Sequence, residues 1–381
     1  MSKKGILLIT SETYPAGAGD GRSAYYLAES LRGQCMVSKV LTLRAPEYVG
    51  TDDDHIISTP YFFHSLLGKI VSRLFFFKKL LVQGRKFKVW MVYGRTLGNR
   101  IAIILGAILG KRVVFRSTLW GFDSISSLTR RNPFNRFIYL LAWGYWGLNE
   151  SFIDDYNRVI GKKRVFQSPQ GVPNIFFSNP ASSKDELRSK LGLPNSIPIL
   201  ISLGHIIQRK GFPEIFHWLS GVEHDYIYLL VGENSPSRTS RLYRKWLEME
   251  HLQQQGKELL GNRIRFVGPK SNVLEYLNAS DIFLHGAYAE GFPPNSLNEA
   301  MACGLPCLVR GIEGIDKELE EDSGIQLFSN KQQFTKGIED LIDSADLRNI
   351  LGNKTRVYAE KHFRIENVAS NLIRFVYPHS L

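Results

Sequence analysis

A chain of 381 residues holds two to three domains of about 150 residues each, which excludes a disulfide-stapled mini-protein or a single small module. With 44% hydrophobic and 22% charged residues, and Gly and Pro spread along its length, its composition is neither disordered nor fibrous. The formal net charge of +12 is carried unevenly: residues 1–175 have 25 Lys and Arg against 11 Asp and Glu, and the remainder is net −2.

The first apolar run, Lys4 to Thr10 (KGILLIT), is shorter than a signal-peptide core and soon meets Glu12, so it reads as a first strand. The glycine-rich Pro15 to Gly21 follows, and Ser23 to Leu31 has apolar residues at helical spacing. Strands are predicted at Val37–Leu43, Val89–Tyr93 and Arg112–Phe115, alternating with helical segments such as Arg100–Leu109. That is the grammar of βα units and a parallel sheet. From His55 to Phe122 there is no Asp or Glu, while Lys69, Arg73, Lys78, Lys79, Arg85 and Lys86 gather among Phe75, Phe76, Phe77 and Trp90. Such a segment attracts polyanions. Leu66, Leu67, Ile70, Leu74, Phe77 and Leu80 recur at helical spacing, which fits a helix dipping into an anionic membrane face. Lys78 lies opposite Lys69 on the helical wheel, however, which fits a core-packed helix with solvated lysines. No nucleic-acid motif is present, and no nucleic-acid partner is expected. The longest uncharged stretches, Ile56–Gly68 and Phe137–Asn149, have 13 residues each, short of the ~20 that span a bilayer.

Gln167 to Pro198 holds five prolines and is the best domain boundary in the sequence. Beyond it the same grammar restarts, with strands expected at Ile197–Leu203, Tyr226–Val231, Ile264–Val267, Asp281–Leu284 and Pro306–Val309. Two α/β domains of similar size are therefore expected with a cleft between them, and ligands at the carboxyl ends of the strands. Cys35, Cys303 and Cys307 fit neither a disulfide framework nor a tetrahedral zinc site. A reducing cytosol is the simplest compartment.

Four segments carry chemistry. In the first, a loop from Ala289 through Glu290, Gly291, Phe292, Pro293 and Pro294 runs into a helix containing Asn295, Ser296, Leu297 and Glu299. Loop amides and the positive end of that helix make an anion site, and carboxylates at both ends can accept hydrogen bonds from sugar hydroxyls. Read blandly, Glu299 complements the helix dipole and Glu290 is a solvated loop residue. The second, Ser202 to Phe212, follows a strand and offers Gly204, His205, the adjacent cations Arg209 and Lys210, and Gly211. A lysine suits a diphosphate as a point charge and glycines let backbone approach it, although an Arg-Lys pair is commonly plain surface. The third is the Gly17-Ala18-Gly19 loop, equally a tight turn. The fourth, Val113 to Asp123, places Arg116 and Asp123 after a strand, as acceptor-site residues or as parts of a structural turn.

The block from Glu290 to Pro306 resembles the signature of retaining family-4 glycosyltransferases of GT-B fold, with E-G-F-(G/P) leading to L-E-A-M-A-x-G-x-P. The family's two glutamates stand eight positions apart, whereas Glu290 and Glu299 stand nine apart, placing one extra residue near Phe292 or Pro293. The resemblance implies two Rossmann-like domains facing a cleft: an acceptor-binding domain over 1–175, a nucleotide-sugar domain over 176–360, and a tail over 361–381 packing back on the first. It implies that Glu299 holds the nucleotide ribose, that Glu290 contacts the donor sugar, and that Lys210 sits on the leaving phosphate. His205 replaces a family arginine, for which Arg209 substitutes. Gly17 and Gly19 match the family's N-terminal glycine loop, no residue matches the histidine many relatives carry after the strand at Val113, and Pro173 stands for the aspartate of the crossover motif. Transfer with retention, no covalent sugar-enzyme intermediate, no cofactor and no metal are what the family leads one to expect. The basic first domain points to a lipid-linked or cell-envelope glycan acceptor, with the protein cytoplasmic and peripheral on the inner membrane face. Two other classes remain open: an NADP-dependent oxidoreductase using the Gly17 loop and Arg44, though it lacks G-x-G-x-x-G spacing, and a non-catalytic GT-B binding protein.

Overall fold

The computed structural model describes residues 5–10, 19–44, 54–60, 62, 65–161, 164–232, 243–312 and 323–378. Gly17 lies outside them, as does the side chain of Arg44. The chain divides into two compact units, one of residues 1–171, 290–293 and 365–381, the other of residues 172–289 and 294–364.

The first unit is built on seven parallel strands: β1 (Gly5–Ile9), β2 (Val37–Arg44), β3 (Ile56–Pro60), β4 (Val89–Tyr93), β5 (Arg112–Arg116), β6 (Gly144–Gly147) and β7 (Arg164–Gln167). Their order is β3-β2-β1-β4-β5-β6-β7. Apolar runs such as GILLI and VWMVY are buried along their whole length, as a sheet covered on both faces requires. One face packs against α2 (Leu66–Gly84), α3 (Leu97–Ile108), α4 (Ile125–Arg131), α5 (Phe134–Leu140) and α6 (Glu150–Ile160), through a cluster that includes Phe76, Leu80, Trp90, Ile103, Leu128 and Tyr139. The other face carries α1 (Gly19–Gly33) and α14 (Ile365–Val376), with Leu27 and Leu31 packed in one cluster with Val368 and Leu372. The Tyr377 hydroxyl donates to the Gly5 carbonyl at 3.0 Å and accepts from its amide at 3.1 Å, pinning the last helix to the first strand. Among the described residues, no helix is long and apolar enough to cross a membrane.

The second unit has six parallel strands: β8 (Ile199–Leu203), β9 (Ile227–Val231), β10 (Ile264–Gly268), β11 (Ile282–His285), β12 (Cys307–Arg310) and β13 (Ile325–Phe328). Their order, β10-β9-β8-β11-β12-β13, is the 3-2-1-4-5-6 of a dinucleotide-type sheet. The helices are α7 (Lys184–Lys190), α8 (Phe212–Ser220), α9 (Tyr243–Leu260), α10 (Val273–Ala279), α11 (Asn295–Ala302), α12 (Lys331–Asp343) and α13 (Ala345–His362). Helix α7 starts on a complete capping box, Ser183 with Glu186. The strand order reverses between β8 and β11, so the loops leaving these two strands at their carboxyl ends flank the switch point.

Candidate functional site

The loop after β8 is shaped by glycines that no other residue replaces. Gly204 has φ +133° and Gly232, after β9, has φ +153°. A Cβ on Gly232 would stand 2.1 Å from the Gly204 carbonyl oxygen. The chain then passes the buried Ile206 into a short 3-10 turn, Gln208–Lys210, and closes at Gly211 with φ +72°. A Cβ on Gly211 would lie 1.9 Å from the Gly286 carbonyl oxygen, so the loops after β8 and β11 touch backbone to backbone.

Within this frame Lys210 folds back over the strand end. Its Nζ lies 3.7 Å from the position a Cβ would take on Gly204. Arg209 joins the loop after β11: its carbonyl accepts from the Tyr288 amide at 3.0 Å, and its guanidinium donates to the Ala289 carbonyl. The guanidinium expected beside a phosphate thus also braces this loop. The loop ends at Pro294, which opens α11 without a side-chain cap, and the first-turn amides at a helix start are the donors an anion can use. Asn298 and Glu299 are buried in that helix. Burial pushes the Cys303 thiol well up, with the neighbouring Glu299 adding to it against Arg356.

The stretch Glu290–Pro293 belongs to the first unit. The Trp120 amide donates to the Glu290 carbonyl at 3.3 Å, and Asn149 Nδ2 donates to the Phe292 carbonyl at 3.1 Å. A Cβ on Gly291 would fall 2.0 Å from the Thr118 carbonyl oxygen, so only glycine fits there. Glu290 is largely buried and Phe292 fully so; the Phe292–Pro293 peptide is cis.

Arg116, at the end of β5, is buried between the rings of Tyr93 and Trp146, 4.7 and 4.4 Å from their centroids, and reaches Ser23 Oγ at 3.4 Å. Asp123, expected at an acceptor site, has both carboxylate oxygens engaged in its own turn. They accept from the Thr118 amide at 2.9 Å, the Thr118 hydroxyl at 2.6 Å and the Leu119 amide at 2.8 Å. Burial holds its carboxyl above the ordinary value against these donors and the charge of Arg95.

The structure thus brings Gly204, Arg209, Lys210 and Gly211 together with the Gly286–Ala289 loop in one unit, and sets Gly291 and Phe292 beside Thr118, Trp120 and Asn149 in the other. Gly19 is the first residue of α1. The sequence marks Gly232 only as the end of a strand, and passes over Gly286, Asn149 and Arg310. Only Asn149, a helix cap ahead of Glu150, had a readable signal. Arg310 is nearly buried at the end of β12, donates to the Gly286 carbonyl at 2.8 Å and stacks on Tyr288 at 4.5 Å; it holds the loop after β11 from its far side.

Residues 183–358 match the family profile described as "Glycosyl transferases group 1". The chain is 29% identical over 206 residues to spore coat protein SA of Bacillus subtilis, covering 50% of this chain and 51% of that one. It is 24% identical over 280 residues to N-acetyl-alpha-D-glucosaminyl L-malate synthase of Bacillus anthracis, covering 71% and 69%. It is 24% identical over 170 residues to the lipopolysaccharide core biosynthesis glycosyltransferase LpsE of Rhizobium meliloti, covering 44% and 46%. Two of these three curated relatives are thus spanned over only about half their length. Among solved structures, Anabaena Alr3699/HepE in complex with UDP-glucose superposes with a TM-score of 0.75 at 17% identity, covering 98% of this chain and 99% of that one. That likeness concerns the fold, two parallel α/β units of the GT-B type.

Proposed function

We propose that the protein moves a sugar from a UDP- or GDP-sugar to a glycan or lipid-linked acceptor, on the premise that residues 183–358 match the glycosyl transferases group 1 profile on a chain of GT-B fold. The observation that carries the reading is Lys210 folded over Gly204 at the strand-order switch point, beside a loop that leads into the uncapped start of α11. A cation and the positive end of a helix suit a departing diphosphate: leaving-group charge grows as the glycosidic bond breaks, and pre-positioned positive charge stabilises that state more than the ground state. In this proposal Glu299 holds the ribose, Glu290 orients the donor sugar, and His205 takes the place of the family arginine. Transfer proceeds with retention, without a covalent intermediate and without a metal. The acceptor-binding part is residues 1–175, Arg116 included, and the nucleotide-sugar part residues 176–360. The lipopolysaccharide and cell-envelope context rests on what relatives such as LpsE are named for, and a cytoplasmic enzyme working at the inner membrane face fits the basic first unit.

The reading is tested by thermal unfolding against nucleotides. UDP or GDP should raise the midpoint and NADPH should not; stabilisation by NADPH alone would restore the oxidoreductase reading, which the group 1 match does not favour. Slow hydrolysis of the stabilising nucleotide's sugar conjugate, measured in the same sample, separates an enzyme from a binding protein.

A further inference from the structure

We infer that the outward face of α2, α3 and α5 in the first unit docks on an anionic lipid bilayer. The face of α2 that meets the core holds Ser72, Phe76 and Leu80. At 100° per residue, Leu66, Phe77, Ile70, Leu74 and Leu67 fall within an arc of about 100° that borders this core face on one side. Leu66, Leu67 and Leu74 are 75%, 70% and 62% exposed. This helix therefore shows a second apolar stripe to solvent beside the one it buries, unlike an ordinary surface helix, and the core-packed alternative accounts only for the buried one.

The pattern continues on the neighbours. Helix α3 packs against both α2 and α5, and all three feed the same core cluster through Phe76, Ile103 and Tyr139, so they form one layer on one face of the sheet. On the solvent side, α3 leaves Ile108 74% exposed, and α5 leaves Phe134 and Phe137 at 74% and 66%, their rings 6.5 Å apart. Six large apolar side chains standing out of one layer are far more than the scattered exposure of a monomeric surface.

Charge identifies the occupant. From His55 to Asn149 the chain has a single acidic residue, Asp123, and that one is buried in its own turn. The exposed cations on these helices include Arg73 and Lys78, which flank the stripe on either side, Lys79 elsewhere on α2, and Arg136 on α5. A second copy of the chain would bring the same cations face to face, which like charges oppose. A polynucleotide would satisfy the cations but not Leu66, Leu67, Ile70, Leu74 and Ile108, which have no ring for a base to stack on. An anionic bilayer satisfies both, with headgroups on the lysines and arginines and the aliphatic stripe at the acyl boundary.

The test is co-sedimentation of the full chain with vesicles, read without donor or acceptor, so that it stands apart from the transferase reading. The protein should pellet with phosphatidylcholine vesicles containing phosphatidylglycerol and stay in solution with phosphatidylcholine alone. Leu67→Ser, Ile70→Ser and Leu74→Ser combined should weaken partitioning at least about tenfold, with the melting temperature unchanged because all three are exposed. Lys78→Glu with Lys79→Glu should weaken it independently, and added salt should do the same. The proposal is overturned by equal binding to both vesicle types, or by a triple variant that binds as the parent does, which would mean charge alone recruits the protein. It is equally overturned if nuclease treatment abolishes pelleting, or if sedimentation velocity shows a dimer that the triple variant dissolves.

Discussion

Lys210 and Gly211 are adjacent in sequence, and each constrains the other. Gly211 must be glycine twice over, for its φ of +72° and for the Gly286 carbonyl that leaves no room for a Cβ. That turn sets the backbone from which Lys210 reaches back to Gly204. If the ammonium neutralises a departing diphosphate, Lys210→Ala should lower kcat by a factor of about 10²–10³, on the order of 3 kcal/mol, comparable to removing one oxyanion donor. KM for the donor should move far less, because the interaction strengthens as the bond breaks. Steady-state kinetics over a range of donor concentrations reads both; unchanged kcat would remove Lys210 from the chemistry. The glycines at 204 and 211 were legible as a place where backbone approaches a ligand. That they meet the Gly232 and Gly286 loops was not, since these contacts join residues some 30 to 80 positions apart and leave no local pattern.

At the scale of elements, the second unit is locked where α7 meets its sheet. Asp281, at the foot of β11, accepts from Lys184 at 3.0 Å, from the Ile199 amide at 2.7 Å and from the buried Arg188. Burial alone would raise its carboxyl, but Lys184, the Ile199 amide and Arg188 outweigh it and hold it below the ordinary value. A carboxyl depressed by folding stabilises the native state above its unfolded value of about 4 and loses that contribution as pH falls through the lower folded value. Asp281→Asn should therefore cost about 3 kcal/mol near neutral pH, the cost of leaving Arg188 without its buried partner. The gap between variant and parent in urea unfolding should close on acidification below about pH 4; a gap that persists would mean the charge is not what matters. Elements with full apolar runs, β1, β4, β8 and β9, were legible within a residue or two. The strands β3, β6, β7 and β13 were not: they have four or five residues, GYWG carries glycine at both ends, and RVFQ lacks an apolar run. Their pairing comes from neighbours already in the sheet. The exposed face of α2 was legible as apolar residues and cations but not as a direction, because spacing alone does not say which side of a helix meets the core.

Across the whole molecule, the first unit is completed by the last helix. Helix α14 buries Ile365, Val368, Leu372 and Val376 beside Leu27, Leu31 and Met36, and Tyr377 closes onto Gly5. The contact spans 372 positions, so one face of the first sheet is covered by α1 alone until α14 is in place. At about 1.5–3 kcal/mol for each large apolar side chain buried, four such residues supply on the order of 10 kcal/mol, as much as the net stability of an ordinary domain. A chain ending at Arg364 should therefore lose the cooperative unfolding of the first unit and keep that of the second, whose residues 172–289 and 294–364 remain present. Calorimetry of the full and shortened chains reads this as the loss of one transition, alongside retained stabilisation by UDP or GDP if the nucleotide site lies within the second unit. Tyr377→Phe is the milder form of the same experiment: it removes one hydroxyl that bridges the Gly5 amide and carbonyl, and should cost about 1–2 kcal/mol in the first unit alone. A shortened chain that melts as the parent does would show that α14 adds nothing to the first unit, and that α1 and the sheet suffice to hold it.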